Sequence, residues 1–297
     1  MKILVSDPIS KKGIEILKAK GFEVELRDER NVYDIIENFD GVIVRSATKV
    51  TEEVIANAKK LKVIGRAGVG LDNIDLEAAK KRGIKVLNTP GATSPSVAEL
   101  ALAMILAICR NLVKGTTSLK EGKWEKKKLR GRELCGLQLG ILGTGKIGSE
   151  LAEKTHALGM NVVGHRRHPT GEEAVKMVSL DELLSTSDVI SIHVPLTDET
   201  RHMISYEEFE KMKDGAILIN CSRGGIVDEK ALYDNLVSGK LYGAGIDVYE
   251  KEPPGDNPLF ALDNVVLTPH VGAQTTEGQD RCGVQIVRKV VEALKGD

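Results

Sequence analysis

Strand-sized apolar runs alternate with helix-length amphipathic stretches along nearly the whole chain, and few architectures accept that rhythm. Ile3-Leu4-Val5, Val24-Glu25-Leu26, Val42-Ile43-Val44 and Val63-Ile64 have strand length, and segments such as Ser10 to Ala19 and Thr51 to Ala58 separate them. A second series opens at Gln138-Leu139-Gly140-Ile141-Leu142. It continues through Asn161-Val162-Val163, Val189-Ile190-Ser191, Ala216 to Ile219, Gly243 to Ile246 and Val265-Val266-Leu267. Parallel strands need long crossovers, which helices supply, so the pattern predicts parallel sheets with helices on both faces. Between the series lie a turn-rich loop, Asn88 to Pro95, and an apolar helix expected from Val97 to Cys109. The expected fold is α/β, with two Rossmann-like, doubly wound units that repeat in architecture and not in sequence. A length of 297 residues suits two domains, each able to bury a core.

Composition narrows the function classes. With 42 Lys and Arg against 43 Asp and Glu, the formal charge is −1, so no global basic field exists to hold nucleic acid or an anionic membrane. Four Phe, five Tyr and one Trp leave little for base-stacking platforms. The longest apolar stretch, Leu100 to Cys109, is about half of what a bilayer crossing needs. The N-terminal apolar run is short for a signal peptide and meets Asp7. Cys109, Cys135, Cys221 and Cys282 show no paired spacing, so reduced thiols, no metal site and a cytoplasmic location are expected. The charged run from Lys123 to Arg132 reads as a solvated connector.

The strongest local motif is Gly143-Thr144-Gly145-Lys146-Ile147-Gly148, set directly between the apolar strand Ile141-Leu142 and a helical pattern from Ile147 to Leu158. In that setting the glycines permit a tight turn, a close approach of backbone to pyrophosphate, and close helix–strand packing. The helix N-terminus adds donors and positive dipole. A dinucleotide is therefore expected here, against the plainer reading of a structural turn. The acid that usually follows about 20 residues later to hold a ribose hydroxyl is missing, since the second strand runs into Arg166-Arg167-His168. Two readings stand for these arginines. They accept a 2′-phosphate, which makes NADP as well as NAD a candidate cofactor, or they are exposed and the adenosine is held by backbone.

Three more segments follow strands of the second series: Asn220-Cys221-Ser222-Arg223-Gly224-Gly225, Asp247 to Pro254, and Thr268-Pro269-His270-Val271-Gly272. Each alone has a bland explanation, as an arginine in a glycine turn, a solvated acidic loop or a histidine capping a strand. Together they place an arginine, an acid and a histidine at one sheet edge. An arginine can clamp a carboxylate and polarise a neighbouring carbonyl. A histidine can move a hydroxyl proton while a nicotinamide exchanges hydride, and an acid can orient the imidazole. In the first series, Arg45, Arg66 and the glycine-rich backbone Ala67-Gly68-Val69-Gly70 suit a small dianion. A surface salt bridge is the other reading of Arg45.

Gly140 to Gly148, Asn220 to Asp228, Asp247 to Pro254 and Thr268 to Ala273 resemble the D-2-hydroxyacid dehydrogenase family, and the resemblance covers essentially the whole chain. Val44 to Val50, Arg66 to Asp75, Gly122 to Glu125 and Arg281-Cys282-Gly283 look most like the members that oxidise 3-phosphoglycerate at the entry to serine biosynthesis. The resemblance implies that Arg223 binds the substrate carboxylate and carbonyl, Glu252 supports the histidine, and His270 is the acid/base. It gives Asp247 the nicotinamide carboxamide, with Cys221, Ser222, His193, Val194 and Pro195 lining the cofactor. Arg45, Ser46 and the Arg66 to Gly70 loop match positions that hold the anionic substrate. The chain then divides into a discontinuous substrate-side domain, 1–93 plus 275–297, and a dinucleotide-binding domain, 94–274, with the active-site cleft between them. No C-terminal regulatory domain is expected after the last helix, Glu277 to Leu294. A homodimer is expected through the Val97 to Cys109 helix and the loop after it. Two alternatives accompany the phosphoglycerate reading: a glyoxylate/hydroxypyruvate reductase of the same family, or a nicotinamide-sensing, corepressor-like binding protein.

Overall fold

The computed structural model describes residues 1–28, 31–171 and 174–296. Asp297, the end of the expected second segment of the substrate-side domain, lies outside the described residues. The chain divides into two compact units, Met1–Thr93 with Ala273–Asp297, and Ser94–Gly272.

In the first unit, among the described residues, β1 (Lys2–Val5), β2 (Glu23–Leu26), β3 (Gly41–Val44), β4 (Val63–Arg66) and β5 (Lys85–Leu87) form a parallel sheet in the order β2-β1-β3-β4-β5. The pleat explains the unbroken apolar runs. Ile3, Val5, Ile43 and Val63 pack with Leu17, Ile286, Val287 and Val290 on one face. Leu4, Val42, Val44 and Ile64 pack with Val54, Ile55 and Ala78 on the other. Successive residues point to opposite faces, so a strand covered on both sides must be apolar throughout.

The second unit repeats the scheme. The strands β6 (Gln138–Leu142), β7 (Asn161–His165), β8 (Lys176–Met177), β9 (Val189–Ile192), β10 (Ala216–Asn220), β11 (Leu241–Ile246) and β12 (Val265–Leu267) pair in parallel in the order β12-β11-β10-β9-β6-β7-β8. Leu139, Ile141, Ile217 and Ile219 face the long helix Ser94–Cys109 through Ala101, Met104 and Ile105. Leu142, Ile190, Leu218 and Ile246 face Leu183, Phe209 and Leu232.

Side-chain caps place the helix starts. Ser10, Thr51, Ser179, Asp228 and Thr275 each accept a backbone N–H from three residues on, satisfying a donor the first turn leaves open. Four elements differ from the sequence reading. The long helix begins at Ser94 and not Val97, because Pro95 falls in its first turn, where an N–H would have had no helical partner. The edge strands β5 and β8 carry only three and two residues and too little alternation to announce themselves. The helix Leu112–Lys120 sits where a loop was expected, its polar composition hiding the period. Among the described residues no single helix is long and apolar enough to cross a membrane.

Candidate active site

In open parallel sheets, ligands sit beyond the carboxyl ends of the strands, where the strand order reverses. Between β6 and β9 the second sheet reverses, and Gly143 stands there. Gly143 takes φ +101, its N–H donates to the His165 carbonyl at 2.8 Å, and a Cβ would come 2.6 Å from the His193 carbonyl oxygen. At Gly148 a Cβ would meet the Gly143 carbonyl oxygen at 2.3 Å and Ile141 at 2.9 Å, so the helix lies directly on its strand. A Cβ at Gly145, the N-cap of the helix Lys146–Ala157, would meet open space. A pinched turn below and room above the helix N-terminus fit a dinucleotide pyrophosphate. Lys146 and Ile147 open that helix. Arg166 follows β7 directly and is half-buried, whereas Arg167 is exposed and pairs with Glu199 at 2.9 Å.

At the end of β9, His193 donates to or accepts from Ser191 Oγ at 2.9 Å through Nε2, while its buried Nδ1 has no partner among the described residues. Burial lowers this imidazole to about 4, so it is neutral at physiological pH. Val194 and Pro195 continue the segment beside Gly143.

The Arg223 turn is built on Asn220, which is 2% exposed. Its Oδ1 accepts from Ser222 N at 3.1 Å and Ser222 Oγ at 2.7 Å, and its Nδ2 donates to the Arg223 carbonyl at 3.0 Å. Arg223 Nη1 donates to the Ser222 carbonyl at 2.8 Å. Cys221 is buried against Met104, and burial pushes its thiol well above the usual range, so it is no nucleophile.

Glu252 and His270 meet: Nδ1 of the imidazole lies 2.7 Å from Glu252 Oε2. Glu252 Oε1 also accepts from Tyr249 N at 3.2 Å. His270 holds φ +54, a left-handed backbone unusual for a non-glycine residue. Asp247, 1% exposed, enforces it. Its carbonyl accepts from His270 N at 2.8 Å, and its carboxylate accepts from Thr268 Oγ1 at 2.5 Å, Val271 N at 2.8 Å and Gly272 N at 2.8 Å. The carboxylate expected to hold a nicotinamide thus first holds the histidine loop. A cavity of about 670 Å³ adjoins the imidazole, walled by Tyr249, Pro253, Phe260, Leu267 and Pro269. Tyr249 donates to the Thr268 carbonyl at 3.1 Å, and burial, with Asp247 nearby, pushes its phenol up to about 12.

The first unit carries its candidates at the carboxyl ends of β1, β3 and β4. Asp7, 2% exposed, accepts from Arg45 N at 2.6 Å, Thr48 N at 3.1 Å and Thr48 Oγ1 at 2.6 Å. Asn73 Nδ2 donates to the carbonyls of Arg45 and Thr48 at 2.7 and 2.6 Å. These bonds fix the loop that presents Arg45 and Ser46. The Arg45 guanidinium is 3.5 Å from Gln274 Oε1, a neutral partner where a salt bridge was the other reading. The Arg66 side chain runs over Gly68, where a Cβ would fall 1.5 Å from Nη1. The expected four-residue nest is narrower than the sequence suggested. Ala67 N is spent on the Val44 carbonyl and Gly68 N on that of Arg66, leaving, among the described residues, the N–H groups of Val69 and Gly70.

Asp7, Asn73, Asn220 and Thr268 were not singled out from the sequence. The available signal was local, a polar Asx or Thr residue at a strand end, but their partners lie up to 41 residues away.

Residues 102–272 match the family model described as D-isomer specific 2-hydroxyacid dehydrogenase, NAD binding domain. The chain is 50% identical to a hydroxypyruvate reductase of Thermotoga maritima, over 99% of this chain and 98% of that protein. It is 49% identical to a D-3-phosphoglycerate dehydrogenase of Archaeoglobus fulgidus, over 100% of this chain but 58% of that protein. The crystal structure of the TT0316 protein of Thermus thermophilus superposes with a TM-score of 0.92 at 39% identity, covering 100% of this chain and 97% of the other. A strand–glycine turn–helix built for a dinucleotide, a carboxylate-held histidine at the same sheet edge, and these matches lead to one assignment: the chain belongs to the NAD-dependent D-isomer specific 2-hydroxyacid dehydrogenases, enzymes acting on CH–OH donors.

Proposed function

We propose that the chain oxidises D-3-phosphoglycerate to 3-phosphooxypyruvate. The 2.7 Å pairing of Glu252 with His270 carries the reading. Nδ1–H donates to the carboxylate, which leaves Nε2 as the base for the C2 hydroxyl proton. Negative charge on Glu252 supports the imidazolium that forms. Arg223 holds the substrate carboxylate and the oxygen that becomes the carbonyl. Bound nicotinamide supplies the hydride acceptor, held by the turn at Gly143, Gly145 and Gly148 and by Lys146 and Ile147, with Arg166, the His193–Pro195 segment, Cys221, Ser222 and Asp247 around it. Arg45, Ser46 and the Arg66 to Gly70 loop are the substrate-binding residues for the phosphorylated end.

Hydroxypyruvate reduction is the second reading. It is supported by the Thermotoga maritima relative, matched over 98% of its length, and by Arg166 in the place of an acid, which suits NADPH. Initial rates with 3-phosphoglycerate, hydroxypyruvate and glyoxylate, each with both cofactors, decide between them. A kcat/KM for 3-phosphoglycerate above those of the other two is expected. Turnover confined to hydroxypyruvate and glyoxylate sinks the first reading and leaves the second. A homodimer accompanies either reading, supported by the exposed Leu112, Val113, Leu119 and Trp124, and sedimentation tests it.

A further inference from the structure

One pair of carboxylates, outside the residues given roles above, ties the Arg223 turn to the segment that carries Glu252. Glu229 Oε1 accepts from Glu250 N at 2.6 Å, and Glu250 Oε1 accepts from Glu229 N at 3.1 Å. Each residue thus binds the other's backbone. Glu229 Oε2 is held in turn by Asn257 Nδ2 at 2.7 Å, and His202 Nε2 lies 3.1 Å from Glu250 Oε1. Glu229 is the first residue of the helix Glu229–Val237, capped by Asp228, so the carboxylate of Glu250 also sits at a helix N-terminus.

The clamped peptide bears directly on the site. An added Cβ at Gly224 would fall 1.7 Å from the Tyr249 carbonyl oxygen and 2.8 Å from Glu250 N, so the backbone beside Arg223 rests against the peptide that Glu229 grips. One residue earlier, Tyr249 N donates to Glu252 Oε1, whose other oxygen holds His270. His202 N donates to the Gly225 carbonyl at 2.8 Å, closing the far side of the turn. Freed of Glu229, the Tyr249–Glu250 peptide would lose the bond that sets its height against Gly224. Both Arg223 and the Glu252–His270 pair would lose their common reference.

We infer that Glu229 is a positioning residue for the dehydrogenase reaction, acting through Glu250 to keep Arg223 and the Glu252–His270 pair in register. The inference rests on the acid/base reading of His270. Glu229→Ala removes the acceptor, while Glu229→Gln keeps an oxygen for Glu250 N. The expected result for Glu229→Ala is a kcat lower by about ten-fold or more, since small misplacements of reacting groups carry such costs. NADH affinity is unchanged, so the loss falls on kcat and not on cofactor binding. Glu229→Gln, which keeps the acceptor for Glu250 N but turns an amide nitrogen toward Asn257 Nδ2, restores part of the rate. A Glu229→Ala enzyme with wild-type kcat overturns the inference, as does a Glu229→Gln enzyme no better than Glu229→Ala. Should Glu229→Ala fail to give a cooperative melt, Asn257→Asp decides. It keeps the cap to Leu259 N but replaces the donor to Glu229 with a like charge, so the same fall in kcat with unchanged NADH affinity is expected, and a wild-type kcat overturns the inference. His270→Ala, run alongside, separates the two claims. An active His270→Ala enzyme removes the underlying reading, whereas an inactive one beside an unperturbed Glu229→Ala enzyme removes the clamp alone.

Discussion

Substituting His193 tests whether the cofactor turn is backed by a neutral, buried imidazole. In the folded chain burial lowers His193 to about 4 from its ordinary 6.5, and its Nδ1 has no partner among the described residues to offset that loss of solvation. Between these values the unfolded chain binds a proton at this residue and the folded chain does not, so stability rises with pH across the window. The gap between 6.5 and about 4 amounts to about 3 kcal/mol, present above pH 6.5, mostly lost by pH 4 and fully lost only below it. His193→Gln has no titration there. Urea unfolding followed by circular dichroism, without cofactor, should show wild type losing about 3 kcal/mol more than His193→Gln between pH 7 and pH 4. Parallel curves for the two proteins would refute the argument, for they would mean that His193 titrates alike folded and unfolded.

Other consequences follow from the same geometry. Gly148→Ala puts a methyl 2.3 Å from the Gly143 carbonyl oxygen, so the helix must lift off its strand, and the Kd for NADH should rise about ten-fold or more in a fluorescence titration; unchanged affinity removes the glycine from the cofactor site. Asp247→Asn turns one accepting oxygen into a donor facing Thr268, Val271 or Gly272, which should cost about 3 kcal/mol on urea unfolding and lower kcat together. An intact kcat there would show that the His270 loop holds without it. Arg166→Asp should raise the KM for NADPH far more than that for NADH if the guanidinium receives a 2′-phosphate, and equal changes remove that role.

The layer structure was legible because it follows from burial on two faces. Ile3 and Val5 face one helix layer and Leu4 the other, so an unbroken apolar run is what such a strand requires. The glycine turn was legible for a similar reason, since Gly143 and Gly148 occupy positions where a Cβ has no room. Arg223, Glu252 and His270 could be gathered because each follows a strand that points to the same sheet edge. What escaped the sequence is the support beneath them. Asp7 reaches Arg45 across 38 residues and Glu229 reaches Glu250 across 21, and neither distance carries a periodicity. The spare donors of the Ala67 to Gly70 loop were overcounted, since Ala67 N is taken by β3 through the pairing of β3 with β4 and Gly68 N by a local turn onto the Arg66 carbonyl. Short edge strands such as β8 are set by their neighbour more than by their own two residues.

His270 is the group proposed to move the hydroxyl proton, and every other role at the site depends on it. Steady-state kinetics of His270→Ala beside a direct measurement of NADH binding test it most plainly. The prediction is a kcat lower by about 10²- to 10⁴-fold with cofactor affinity retained, because the proton-transfer step alone is lost. A His270→Ala enzyme that turns over within a few-fold of wild type would contradict it.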